Sequence, residues 1–338
     1  MKKKLFQTTI ILFAFSLITP LFAQNENSVL QKVLERGRLI CGVNKELPGF
    51  GYLNQDGRWE GFDVDYGRAI AAAIFGDPDK VEFRPLKGAD RFPALQTGEI
   101  DVLIRNTTWT LTRDTSNGVD FCPPTFYDGQ GFMLRKELGI TSLKELEGAT
   151  FGVTAGSTTE LNLADTMRSI GIDVEAIVYE ETETLYQSYD HGRCDVVTSD
   201  KSQLLSRRQS LKNPDEHIIL DVTVSKEPLG PVTIHGDNQW NDIVSWVVYA
   251  TFFAEEYGIS KENVKTFKSG NPEIKRFLGE TEGMGEKLGL SNDWGRHVIE
   301  KVGNYAEIFD RNLTPLGLPR GVNKPWSQGG LLYAMPFR

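Results

Sequence analysis

The chain repeats itself, and the repeat limits what it can become. Gly98-Glu99-Ile100-Asp101-Val102 returns as Gly192-Arg193-Cys194-Asp195-Val196, and each copy closes a strand–helix–strand–helix series. The first series reads as a buried strand over 38–43, an alanine-rich helix over 66–75, a strand over 81–86 and a helix over 89–97. The second reads as a strand over 149–153, a helix over 160–170, a strand over 174–179 and a helix over 184–190. Two halves with one βαβαβ order point to two similar α/β lobes. Asp101 and Asp195 recur as the first residue of the strand that ends each series, which assigns them to local structure.

Chemistry is expected where these strands run out. Val102-Leu103-Ile104 is long enough for a buried strand and then turns into Arg105-Asn106-Thr107-Thr108-Trp109-Thr110-Leu111-Thr112-Arg113. An open α/β sheet binds its ligand beyond the carboxyl ends of its strands. Arg113 offers a planar fork of donors that fits a carboxylate, and Asn106, Thr107, Thr108 and Thr110 offer neutral donors and acceptors around it. The strand over 149–153 opens in the same way into Thr154-Ala155-Gly156-Ser157-Thr158-Thr159. On these residues alone, a surface loop whose arginine pairs with a nearby acid fits as well.

Other chemistries find little support. The formal charge of −9 becomes −12 without the three leader lysines, and no basic run occurs, which argues against nucleic acid and anionic membranes. Lys2, Lys3 and Lys4, an apolar stretch over 5–17, Pro20 and then Ala23 have the layout of a secretory signal peptide cut near Ala23. The uninterrupted apolar run from Ile10 is too short to span a bilayer comfortably, so an exported, soluble protein without membrane insertion is expected. Cys41, Cys122 and Cys194 form no C-x-x-C and are odd in number, so buried thiols packing as small hydrophobes are expected. Gly283-x-Gly285-x-x-x-Gly289 lacks dinucleotide spacing and a preceding strand, and His191, His217, His235 and His297 lie in separate elements. No cofactor, no metal and no catalytic residue is therefore expected. Asp63 and Asp65 sit where carboxylates cap a helix, which outweighs a metal pair. Later helices are expected over 238–257, capped by Asn238, and over 294–309, capped near Asn292.

A fixed series of blocks carries a resemblance. Gly61-Phe62-Asp63-Val64-Asp65, Leu95-x-x-Gly98-x-x-Asp101-Val102, Thr110-x-x-Arg113 with Val119-Asp120-Phe121, Gly152-Val153-x-x-Gly156-Ser157-Thr158, and Gly192-Arg193-x-Asp195-x-x-x-x-Asp200 occur in that order. The series resembles the periplasmic amino-acid-binding proteins of ABC importers, solute-binding protein family 3, over essentially all of the mature chain. Leu47-Pro48-Gly49-Phe50, Tyr127-Asp128-Gly129-Gln130-Gly131 and Gly303-Asn304-Tyr305 are similar to the general L-amino-acid subgroup.

The resemblance implies an α/β, two-lobed type II periplasmic-binding fold, each lobe a mixed sheet flanked by helices. Two hinge strands would cross near 129–131 and 229–232. Lobe 1 would be discontinuous, 24–129 and 232–338, with lobe 2 over 130–231. By the same resemblance Arg113 would clamp an α-carboxylate, with Asn106, Thr108 and the backbone around Ser157 and Thr158 adding hydrogen bonds. Asp200 would hold an α-ammonium. Asn44 and Phe50 would wall the first lobe, and Thr154 and Thr159 the second. Asn44 stands where smaller relatives often have an acid, and Leu47 where some have an aromatic. The implied function is capture of L-amino acids, with broad selectivity, by a monomer that delivers them from the periplasm to an ABC permease. Two alternatives accompany it: an exported dehydratase-like enzyme on the same scaffold, which needs a general acid or base in the cleft, and a sensor presenting its occupancy to a receptor.

Overall fold

A computed structural model of the chain describes residues 28–281 and 283–338. The expected leader, 1–23, lies outside the described residues. Two five-stranded sheets organise the molecule. The first has the order Val81–Pro85, Leu39–Val43, Val102–Leu103, Val232–Ile234, Val119–Phe121. The second has the order Glu175–Tyr179, Thr150–Thr154, Val196–Asp200, Gln130–Arg135, His217–Ile219.

The two orders are the same. In each sheet three strands run parallel, with Leu39 opposite Val81 and Cys41 opposite Val102 in one, and Thr150 opposite Glu175 and Phe151 opposite Val196 in the other. A fourth strand then joins antiparallel: Val232 beside Leu103, and Gln130 beside Asp200. Leu39–Val43 and Val196–Asp200 are buried along their whole length, as parallel strands with helices on both faces must be.

The repeated aspartates do the local work assigned to them. The Asp101 carboxylate accepts the Ile40 amide at 2.7 Å, while its own amide donates to the Ile40 carbonyl at 2.9 Å. Asp195 accepts the Thr150 amide at 2.9 Å and the Thr150 hydroxyl at 2.7 Å, and its amide donates to the Thr150 carbonyl at 2.9 Å. Each carboxylate thus extends the ladder one step past the end of its strand. Arg36 adds an ion pair to Asp101 alone.

Between the sheets the chain passes through an antiparallel pair, Phe126–Asp128 with Glu227–Leu229. Around the first sheet the core is aromatic, with Tyr66, Trp240, Tyr305 and Phe309 all fully buried. The last residues join it: the Phe337 ring lies 4.8 Å from Phe253 and 5.3 Å from Phe277. All three cysteines are buried free thiols. No helix among the described residues is long and apolar enough to cross a membrane.

Three expectations need correction. The helix Phe62–Phe75 is preceded by Gly61 at φ 131° and has no side-chain cap. Asp63 and Asp65 do occupy its first turn, but distant partners claim their carboxylates. Asp63 accepts the Asn106 amide at 2.8 Å, and Asp65 accepts Arg311 Nε and Asn312 Nδ2, both at 2.7 Å. The helix Asn238–Glu256 is capped one residue earlier than expected, Asp237 accepting the Trp240 amide at 3.0 Å. The single helix expected over 294–309 is two, Trp294–Lys301 and Tyr305–Asn312. Gly303 turns at φ 105°, and Asn304 with Glu307 forms a capping box that starts a new helix in mid-pattern.

Candidate functional site

Where the two sheets face each other they enclose about 480 Å³ of empty space, the open mouth included. The first-sheet side supplies Asn44, Asn106, Thr108 and Arg113, and the second-sheet side Thr154, Ser157, Thr158, Thr159 and Asp200. All nine were expected at a site. The tenth, Phe50, is not there. Its ring is fully buried in the aromatic core, 6.0 Å from Phe62 and 5.3 Å from Phe126. It follows the turn residue Gly49 (φ 84°), and its backbone faces the helix Phe62–Phe75, the carbonyl accepting the Asp63 amide at 2.9 Å. The apolar ring follows that helix into the core rather than meeting a polar cleft.

Arg113 rises from a short helix, Leu111–Ser116, whose cap Thr110 accepts the Arg113 amide at 3.2 Å. Its guanidinium lies over the Phe92 ring at 5.6 Å. It donates to the Thr108 carbonyl at 3.0 Å and, across the cleft, to the Gly156 carbonyl at 3.4 Å. Opposite it the helix Thr158–Ile170 begins, with the Ser157 hydroxyl accepting the Glu160 amide at 3.2 Å. The first amides of a helix have no acceptor within it, and its dipole favours negative charge there. A guanidinium and a helix N-terminus thus face one volume.

Asp200 ends the strand Val196–Asp200 and makes no capping bond to the helix Lys201–Arg208 that follows. Burial raises its pKa well above the carboxylate range. Asp128 and Glu227 push the same way, while the Asn106 side chain and Arg113 pull back. Asp200, which lines the cavity, is thus crowded by two further acids that do not line it. Glu227, itself buried, accepts the Thr158 hydroxyl at 3.0 Å and Asn162 Nδ2 at 2.9 Å. A cation placed beside Asp200 would relieve the crowding.

Asn106 is held in a strained conformation. At φ 32° it is the one non-glycine residue with positive φ among the described residues. Such outliers persist where the surroundings over-determine them, and here the grip is Asp63 on the Asn106 amide. Burial pushes the Asp63 carboxyl up to about 7 against that bond.

Two further arginines, not expected from the sequence, line the cavity. Arg91 is buried, donates to the Gly156 carbonyl at 3.1 Å, and leaves Nε without a partner. Arg105 is also buried, and its Nε donates to the Leu86 carbonyl at 2.8 Å. Burial lowers both pKa values, that of Arg105 to about 10. Arg105 adjoins Asn106 in the segment already singled out, so its position was a signal. Arg91 sits in a helix with no local pattern to mark it. Thr182, Thr198, Ser199 and Gln203 complete a lining that holds no aliphatic or aromatic side chain larger than Ala155.

A family model described as bacterial extracellular solute-binding proteins, family 3, matches residues 39–281. The chain is 53% identical over 317 residues to the general L-amino acid-binding periplasmic protein AapJ of Rhizobium johnstonii, covering 92% of this chain and 93% of the relative. It is 48% identical over 316 residues to the glutamate/glutamine/aspartate/asparagine-binding protein BztA of Rhodobacter capsulatus, covering 92% and 94%. Among solved structures it is similar to an ABC transporter periplasmic binding protein from Brucella ovis with glutathione bound. That match has a TM-score of 0.90 and 50% identity, over 92% of this chain and 99% of the other.

Proposed function

The chain belongs to family 3 of the bacterial extracellular solute-binding proteins and has their type II periplasmic-binding fold, and on that footing we propose that it captures L-amino acids for an ABC importer. The observation that carries the reading is the meeting of Arg113 and Asp200 in one polar cavity. A zwitterion needs a guanidinium at one end and a carboxylate at the other. Both ions repay their desolvation only when paired and hydrogen-bonded.

In this reading Arg113 and the amides at the start of the helix Thr158–Ile170 take the α-carboxylate, with Thr108 and Ser157 alongside. Asp200, oriented by Asn106, takes the α-ammonium. Thr154, Thr159 and Asn44 line the remaining wall. These contacts address groups common to all amino acids, so breadth of selection arises at the head group. Glutathione, bound in the Brucella ovis structure, carries the same two groups at its glutamyl end.

The two lobes of the proposal are 24–129 with 232–338, and 130–231. They turn about the strand pair Phe126–Asp128 and Glu227–Leu229, and the closed, loaded form is the one the membrane permease recognises. The protein acts in the periplasm as a monomer, its leader removed near Ala23, and does no chemistry on its ligand.

Isothermal titration of refolded, ligand-free mature protein against the twenty amino acids tests this, with Arg113→Ala and Asp200→Ala in parallel. The expected result is saturable binding of several L-amino acids, lost in both variants, with the ligand recovered unchanged. Failure to bind any amino acid refutes the site, and consumption of a ligand would favour the enzyme reading.

A further inference from the structure

Arg105 has no role in the contacts assigned above, yet it is a buried cation on the cavity wall, 7% exposed. Its guanidinium makes one hydrogen bond among the described residues, from Nε to the Leu86 carbonyl, and neither Nη group has an acceptor there. Donors without a protein acceptor on a cavity wall are available to an oxygen of a bound ligand.

Arg105 also borders a second chamber. Some 530 Å³ of empty space, mouth included, adjoins the first cavity, and Asn44, Arg105 and Thr182 line both. The walls of the second chamber are charged. Lys87 pairs with Glu181 at 2.6 Å across the cleft, and Glu46, close to Lys45 at 3.8 Å, accepts the Glu183 amide at 3.2 Å. The first chamber offers no aliphatic or aromatic side chain larger than Ala155, so a hydrocarbon side chain gains little there; the second adds Pro85 and Leu86 to its charged walls.

Resting on the head-group reading above, we infer that the cleft selects amino acids whose side chain carries an acyl oxygen, that Arg105 binds this oxygen, and that the second chamber receives whatever is joined to the acyl carbon. The substrate class comprises glutamate, glutamine and γ-glutamyl peptides. In the peptides the side-chain carbonyl is an amide carbonyl that still presents its oxygen to Arg105. The rest of the peptide, with its own amides and terminal carboxylate, enters the charged chamber. Selection is then broad at the head and directional at the side chain.

The test titrates refolded mature protein with L-alanine, L-leucine, L-glutamine, L-glutamate and reduced glutathione, with competition between glutamate and glutathione. Wild type, Arg105→Ala and Arg105→Lys are compared. A hydrogen bond to a charged group sets the scale, so the preference for glutamine over alanine should fall about ten-fold or more in Arg105→Ala. Arg105→Lys should recover part of it, and glutathione should compete with glutamate one for one. If alanine binds wild type and the glutamine-to-alanine ratio survives in Arg105→Ala, Arg105 is not the selector. If glutamate binds and glutathione does not, the second chamber takes no ligand. If not even alanine binds, the head-group reading has failed and this inference falls with it.

Discussion

Phe50 is where the expected and observed placements part most sharply, so truncating it separates two accounts of the molecule. As a cleft wall, Phe50→Ala would weaken ligand binding and spare the fold. As the core residue observed here, it should do the reverse. The ring is fully buried. An aromatic side chain buries about 150–250 Å², which at about 25 cal/mol/Å² is an upper bound of about 4–6 kcal/mol. Phe→Ala truncations in cores cost about 3–5 kcal/mol, because the surroundings only partly close the void. The edge-to-face contacts with Phe62 and Phe126 place Phe50→Ala within that range rather than below it. For a cooperative unit of about 150–250 residues each kcal/mol lowers Tm by about 2–4 °C, so a fall of about 6–20 °C is expected. Ligand-free protein must be used, since a ligand that binds only the folded form masks part of the loss. Denaturant unfolding reads the stability change, and titration of the folded fraction should give a Kd within about three-fold of wild type. A Tm within 2 °C of wild type combined with a collapse in affinity would refute the placement.

Two further outcomes follow from the geometry. Burial, with Asp128 and Glu227 nearby, raises the pKa of Asp200, so the folded state binds a proton that the unfolded state has already lost over the pH range between the two values. Its contribution to stability is therefore present below the unfolded carboxylate pKa and lost as pH rises through the folded value. A ligand ammonium reverses this, so stabilisation by L-glutamine should grow with pH and binding should release protons; a thermal shift that is flat between pH 4 and 8 would contradict it. Arg207, buried against the Tyr186 ring at 4.8 Å, donates to the Glu46 carbonyl across the cleft at 3.1 Å, beside a Ser206 hydroxyl bond to the Pro48 carbonyl at 2.7 Å. Arg207→Ala should lower the closed population and weaken affinity about ten-fold, chiefly through faster dissociation, and unchanged dissociation in stopped flow would count against this contact as a latch.

Much of this was legible in the chain. The echo of Gly98–Val102 in Gly192–Val196 is an echo of sheet topology, because each copy carries the aspartate that extends its ladder. The polar loops after 104 and 153 mark the cleft because polar side chains following a buried strand must face water or a ligand. Other features depended on distance in three dimensions. Asp63 and Asp65 had local caps available and went instead to Asn106 and Arg311, which only the folded chain brings near. The interruption at Gly303-Asn304 was masked by apolar periodicity that continues across it. Arg91 reaches the cleft through the placement of its helix against Gly156, which local sequence does not encode. Phe50 stands beside Gly51 and Gly61, whose close approach to neighbouring backbone aims the ring inward.

The strand Val232–Ile234 lies between Val102–Leu103 and Val119–Phe121, so the first sheet cannot be completed until the chain has traversed the whole of the second. The second sheet is built from one continuous stretch, Gln130 to Ile219. Synthesis order and assembly order are therefore opposed. The part made first waits with an open gap in its sheet, and closing it means bringing together segments more than 100 residues apart, an entropy cost of about 4 kcal/mol by loop-closure scaling. Contacts of such long sequence separation form slowly. The first half of the chain therefore cannot complete its sheet while the second half is still being made.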